Sequence, residues 1–312
     1  MNKNQLDELK QQFELSEQEL AKSAEIVFNK YTYGKTNSKN PFSVIVLGQA
    51  GAGKSGLMSY TANQFESAIA LDIDDLRAYY PRYDEVANNH PEIFEAVTGS
   101  FSSKIILMLT PVLVENGYNL ILHKTRGDKA IIDDTINYLK DNNYNIILRV
   151  MAVHELESKM SALERSLAQY DHIGHCRWVE TAYHDKHYNG IVDLAQFMAD
   201  NGYTDATEVF VRGKNPVLPP KVYGVVTNPH LFNNTNLLDE NGESKIKNFK
   251  TQNFKGVRDA IEKTRDEAVP AILEKLPNRI KTVTSRKDYN ELRAPEFVEE
   301  INRVVSSVKQ KQ

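Results

Sequence analysis

Cysteine is almost missing from this chain of 312 residues, with Cys176 as its single thiol. An internal disulfide is therefore excluded, which favours a reducing compartment. An excess of one charge is missing too. Lys and Arg number 38 against 42 Asp and Glu, for a net charge of −4. The molecule as a whole is not a polycation built for nucleic acid. The opening residues, Met1-Asn2-Lys3-Asn4-Gln5, lack the apolar stretch of a secretory signal. The longest apolar stretch, residues 105–114, is too short to span a bilayer. No internal repeat or low-complexity tract breaks the chain. These absences lead to the expectation of a cytoplasmic protein without a membrane or nucleic-acid partner.

Hydrophobic residues make up 41% and charged residues 26%, values that allow a sizeable folded core. Residues 1–40 read as a helical prelude. Ser16-Glu17-Gln18-Glu19 fits a capping box, and Leu20, Ala24, Val27 and Phe28 then share one helical face. A polar linker runs from Gly34 to Asn40, and Pro41 marks its end. From Phe42 on, short β-branched runs alternate with helical patterns. Strands are expected at 42–47, 68–71, 118–122 and 145–153, with helices at 55–65, 100–116, 130–141, 155–170 and 184–201. That alternation predicts a parallel sheet with helices on both faces. Pro216, Pro219 and Pro220 suggest a boundary near 215, so residues 41–215 form the expected core and 216–312 a C-terminal extension. A further strand fits 221–227. Residues 245–287 hold 12 Lys/Arg against 5 Asp/Glu, read as a solvated helix face.

The strongest signal is Gly48-Gln49-Ala50-Gly51-Ala52-Gly53-Lys54-Ser55, which matches G-x-x-x-x-G-K-[ST]. Its glycines let consecutive backbone N–H groups bend around phosphate oxygens, where a β-carbon would obstruct them. The helix that follows adds partial positive charge. Lys54 reaches the β- and γ-phosphates, and Ser55 is the expected Mg²⁺ ligand. Residues 48–56, ending with Gly56, are therefore the expected donor site for ATP or GTP.

Leu71-Asp72-Ile73-Asp74-Asp75-Leu76-Arg77 closes the second strand. Carboxyl ends of parallel strands open into the ligand crevice. One of Asp72 and Asp74 can orient Mg²⁺ while the other accepts the acceptor's hydroxyl proton. Helix capping by Asp74 or Asp75 is the competing account. Arg165 points away from the apolar stripe Leu156, Met160, Leu163 and Leu167 and is free to face a cleft.

With these residues in order, the chain resembles the zeta-toxin kinases over about residues 42–190. The resemblance runs through the phosphate loop, Leu71-Asp72-Ile73-Asp74, Gly117-Tyr118-Asn119-Leu120, Met151-Ala152-Val153, Leu163-Glu164-Arg165 and Arg177. It implies a P-loop kinase-like fold and transfer of the γ-phosphate to a UDP-activated sugar such as UDP-N-acetylglucosamine. It further implies Asp74 as general base, Lys54 and Ser55 on phosphate and Mg²⁺, and Arg165 and Arg177 as lid arginines. Asp72, a second Mg²⁺ candidate, and Arg77 fall on the acceptor side. After the third strand the family carries Glu-Gly-Thr, whereas this chain has His123-Lys124-Thr125-Arg126. His123, Lys124 and Thr125 are the expected acceptor contacts here. An antibiotic or nucleotide phosphotransferase, or a nucleotide-binding regulator, remains open. An antitoxin protein is one expected restraint, and the N-terminal segment either restrains activity in cis or simply supports the core. His172, His175, His184 and His187 are read as surface or substrate-facing side chains rather than a zinc site with Cys176, which has no nucleophile context. Trp178 is read as a packing residue, with stacking on a base as the alternative.

Overall fold

The computed structural model describes residues 3–124, 135–174, 176–212, 221–225 and 256–311. Six strands form one sheet in the order β2-β3-β1-β4-β5-β6. They are β1 (Phe42–Leu47), β2 (Ile69–Leu71), β3 (Leu120–Lys124), β4 (Asn145–Met151), β5 (Ala206–Val211) and β6 (Lys221–Val225). The first five run parallel and β6 pairs antiparallel to β5. Alternate residues of β1 face opposite layers. Ile45 and Leu47 enter the larger core, and Phe42, Val44 and Val46 the smaller one. Helices therefore cover both faces, as a buried parallel sheet requires.

The register matters for function. Leu47 pairs with Lys124 and Val150, and Leu71 with Leu122. The carboxyl ends of β1, β2 and β3 thus finish at one edge, which delivers Gly48, Asp72 and His123 to the same crevice.

The N-terminal pair is α1 (Lys3–Gln12) and α2 (Glu17–Thr32). The capping box at Ser16 is formed: its Oγ accepts from the Glu19 N–H at 3.3 Å, and the Glu19 carboxylate accepts from the Ser16 N–H at 2.9 Å. Behind the phosphate loop comes α3 (Lys54–Gln64), and after β2 the short α4 (Ile73–Leu76) and α5 (Tyr83–Asn89). The next helix, α6 (Pro91–Glu115), is much longer than the apolar run at 105–114 suggests. Among the described residues it is the one helix long and apolar enough to cross a membrane by length and composition. Ile93, Val97, Phe101, Ile105, Leu109 and Leu113 recur every four residues and lie buried in the larger core, where the helix packs against α1, α2, α4 and α5.

The rest is α7 (Asn137–Asp141), α8 (Glu155–Ile173), α9 (Thr181–Asp200), α10 (Val257–Thr284) and α11 (Ala294–Lys311). Within the expected extension, α10 packs on β5, α9 and α8, and α11 on α8. They share a separate apolar cluster with Leu156, Met160, Leu163 and Leu167 of α8. The stripe read from the sequence is thus the seam that receives the C-terminal helices. β5 is absent from the sequence reading because Glu208 interrupts it. That carboxylate is buried in the sheet against Arg149 of β4, whose guanidinium also bonds Thr61 and Gln64 at 2.7 Å.

Candidate active site

The phosphate loop is shaped by its glycines. Gly51 and Gly53 adopt φ of 75° and 92°, a left-handed region that side chains resist. A β-carbon on Gly51 would stand 2.0 Å from the Ser158 carbonyl oxygen, so the loop rests directly on the first turns of α8. Gln49 ties it there as well. Its Nε2 donates to the Val153 carbonyl at 2.7 Å and to Ser158 Oγ at 3.1 Å. The Gln49 side chain is buried away from the crevice, so only its backbone faces a donor. Ser55 and Gly56 stand exposed in the first turn of α3.

Lys54 folds back over the loop, donating to the Gln49 carbonyl at 3.0 Å. Its pKa is lowered to about 7, chiefly by burial and then by the charge of Arg165, with Arg177 adding to it, while Asp72 and Asp74 pull the other way. Arg165 itself is held down by desolvation and by Arg177, against Asp74 and Glu95. Lys54, Arg165, Arg177, Asp72 and Asp74 thus share one electrostatic neighbourhood. The structure brings together five residues drawn from four separate stretches of sequence.

The two aspartates differ sharply. Asp72 caps α4, its Oδ1 accepting from the Asp74 N–H at 2.9 Å, while Oδ2 lies 3.3 Å from His123 Nδ1. Burial raises its pKa, but the His123 hydrogen bond and charge, the Asp74 N–H and Lys54 outweigh this and hold it below the usual carboxylate range. Both Asp72 oxygens are therefore engaged by the protein. That geometry fits a positioning and capping role rather than direct metal ligation, and it makes Asp72, not Asp74 or Asp75, the helix cap. Asp74 is 69% exposed and aims into the crevice, its Oδ1 accepting from Arg77 Nε at 3.1 Å.

Arg77 is not the free acceptor contact expected from the sequence. Its Nη1 donates to the Glu95 carbonyl at 3.1 Å and Thr98 Oγ1 at 2.7 Å, and Nη2 pairs with the Glu95 carboxylate at 3.1 Å. It is a buried strut that ties α4 to α6 and orients Asp74. Glu95 was missed in the sequence, where it reads as an ordinary acid on a helix. It also receives Gln169 Nε2 of α8 at 3.4 Å.

Arg177 stands exposed after α8. Its carbonyl accepts from Ser166 Oγ at 2.7 Å and its N–H donates to Gln169 at 3.2 Å, so the lid backbone is pinned to α8. Lys124 ends β3. Thr125 and Arg126 lie outside the described residues. His184 and His187 are buried, not surface-facing. His184 spans Ser158 Oγ at 2.9 Å and the Asp185 carboxylate at 3.0 Å. Trp178 stacks on Phe297, with ring centroids 5.3 Å apart, which is a packing role. Among the described residues no cluster of His, Cys, Asp and Glu forms a metal site.

A parallel sheet with this loop at its carboxyl edge, a carboxylate opposite, one arginine on a covering helix and a second just beyond that helix defines a P-loop phosphotransferase of the kinase type. The comparisons narrow that class. The family model for Zeta toxin matches residues 28–221. The chain belongs to the zeta toxin family. Toxin PezT of Streptococcus pneumoniae is 26% identical over 192 residues, which is 61% of this chain and 76% of that protein. Toxin zeta of Enterococcus hirae is 25% identical over 138 residues, 44% of this chain; the match spans about half, 48%, of that relative. A solved structure of the PezAT chromosomal toxin–antitoxin system of Streptococcus pneumoniae shares the fold with a TM-score of 0.59 at 21% identity. It covers 83% of this chain and 98% of the solved one.

Proposed function

We propose that this chain transfers the γ-phosphate of ATP or GTP to a hydroxyl of a UDP-activated sugar related to UDP-N-acetylglucosamine, and so acts as a toxin on the supply of cell-wall precursors in the cytoplasm. The observation that carries the reading is the pairing of an open carboxylate, Asp74, with the Lys54, Arg165 and Arg177 cations across one crevice. Asp74 accepts the proton of the attacking hydroxyl as its oxygen bonds to the γ-phosphorus. Lys54 and the two arginines neutralise the charge that spreads over the phosphoryl oxygens while the bond to the nucleoside diphosphate breaks. Mg²⁺ would enter with the donor phosphates, held by Ser55, and would supply further neutralisation. Arg77 holds Asp74 in place for the proton transfer.

An antitoxin partner accords with the family and with the solved toxin–antitoxin relative. The N-terminal helices are a second candidate restraint. They are stapled beside the acceptor side, with Tyr80 Oη donating to the Phe13 carbonyl at 2.6 Å and Arg82 to the Gln12 and Glu14 carbonyls at 3.0 Å.

The segment from His123 in place of Glu-Gly-Thr supports a second reading, an antibiotic or nucleotide as acceptor on the same core. Mass spectrometry of UDP-sugars, nucleosides and aminoglycosides incubated with protein, Mg²⁺ and ATP or GTP separates them. The expected result is one phosphate added to a UDP-sugar, abolished in Lys54→Ala. Phosphate on a nucleoside or aminoglycoside alone selects the second reading. No transfer to any acceptor leaves a nucleotide-binding regulator.

A further inference from the structure

Arg212 follows β5 directly and lies against the phosphate loop, a position that no sequence motif marks. Its Nη2 donates to the Gly51 carbonyl. Nη1 donates to Glu157 Oε1 at 2.8 Å and Ser161 Oγ at 2.6 Å. Nε stands 3.3 Å from the place a β-carbon on Gly53 would occupy. The guanidinium therefore rests against residues 51 and 53 of the loop, at the N-terminal end of α3. That end carries the positive pole of the helix, and Lys54 is the next residue. A second cation parked there is held by one charged partner, Glu157, and by the neutral oxygens of Gly51 and Ser161. An arriving polyphosphate gains from the helix end, from Lys54 and from Arg212 together.

Glu157 is not stranded if Arg212 leaves. Arg279 of α10 holds its other oxygen at 2.6 Å, and is itself anchored on Glu164 at 2.8 and 2.6 Å. The shared carboxylate makes the Arg212 pairing exchangeable. Its side chain is 35% exposed, so the guanidinium has room to move.

We infer that Arg212 is a donor-binding residue whose guanidinium passes from Glu157 and the Gly51 carbonyl to the phosphates of the bound nucleotide. The inference rests on the phosphotransferase reading and adds to it a further cation on the donor side. Glu157 then acts as a competitor of the donor for Arg212, and α10, through Arg279, keeps that competitor in place.

The test is equilibrium titration of a fluorescent ATP analogue with Mg²⁺ against the full chain, with melting curves for every variant. Arg212→Ala is expected to raise the Kd about tenfold, and Arg212→Lys by less, because it keeps the charge and loses the fork. Arg303→Ala, an exposed arginine on α11, is expected to leave it unchanged. The sign of Glu157→Gln is decisive. Removing a competitor keeps the Kd equal or lowers it, whereas removing a strut raises it. A Kd for Arg212→Ala within twofold of wild type overturns the inference. So does a Glu157→Gln variant that weakens binding as much as Arg212→Ala. A wild-type chain that binds no nucleotide overturns the donor reading itself, and Lys54→Ala, expected to bind far more weakly, marks that failure separately.

Discussion

The two sides of the crevice are built in opposite ways. On the donor side the loop is clamped before any ligand arrives. Gln49 is bonded to Val153 and Ser158, Gly51 is pressed on α8, and Lys54 is turned back onto the loop. On the acceptor side the Asp74 carboxylate stands open, oriented by one buried arginine, with His123 beside its neighbour Asp72. The difference matches the tasks. Phosphates are the same in every donor, so their cradle can be rigid. An acceptor must be admitted and its hydroxyl aligned, so the groups that meet it stay accessible.

The largest expected effect tests the open side. Asp74→Asn keeps the shape and removes the basicity, so single-turnover transfer should fall by roughly 10²–10⁴-fold. Donor affinity should stay within a few-fold, because the clamped loop supplies it. A fully active Asn variant would refute the base assignment, and a variant unable to bind nucleotide would move Asp74 to the donor side. Asp72→Asn should behave differently. It weakens the cap of α4 and the His123 contact, so part of its effect should register as lost stability.

The next effect tests the clamp. Gly51→Ala forces a left-handed alanine, at about 1–2 kcal/mol. It also drives a methyl into the Ser158 carbonyl, and such overpacking adds roughly 1–3 kcal/mol. The loop must lift from α8, so donor affinity and melting temperature should fall together, without selective loss of acceptor binding. Normal donor affinity in this variant would show that the contact with α8 does not shape the loop.

The same contrast governs what was legible in the sequence. The donor side is eight consecutive residues with a fixed composition, and its loop, strand and helix could all be placed from that one stretch. The acceptor side is assembled from Asp72, Asp74, Glu95 and His123, and their meeting depends on sheet order rather than spacing. Arg77 was placed among the substrate contacts because nothing local reveals that Glu95 and Thr98, a helix away, consume its donors. β5 was hidden by Glu208, a charge that makes sense only once Arg149 is beside it. α10 was legible only as a solvated basic helix face; its length and its buried side were obscured by Pro270 and Pro277, which lie inside the helix. Prolines normally argue against a helix interior. Arg212 escaped notice because a lone arginine after an unrecognised strand carries no signal.

The smallest effect concerns the seat on which the clamp rests. His154 caps α8, its Nδ1 accepting from the Leu156 N–H at 3.2 Å. Accepting requires a neutral ring. Burial, and then the charge of Arg265, lower its pKa from 6.5 to about 4. A histidine whose folded pKa is depressed stabilises the fold fully above its unfolded pKa. That stability drains as pH falls through 6.5 and is gone once pH passes below about 4. The native protein should therefore lose about 1 kcal/mol from this group between pH 6.5 and 5.5. His154→Asn offers a cap of similar reach that does not titrate. Its melting temperature should fall less than that of wild type over the same interval, with the two curves closest at low pH. Buried His184 is depressed as well, so the variant curve should be flatter but not flat. Donor affinity measured alongside sharpens the comparison. If α8 seats the phosphate loop, weakening its cap should loosen the donor before it disturbs the acceptor side. Parallel melting curves for the two proteins would remove His154 from this role.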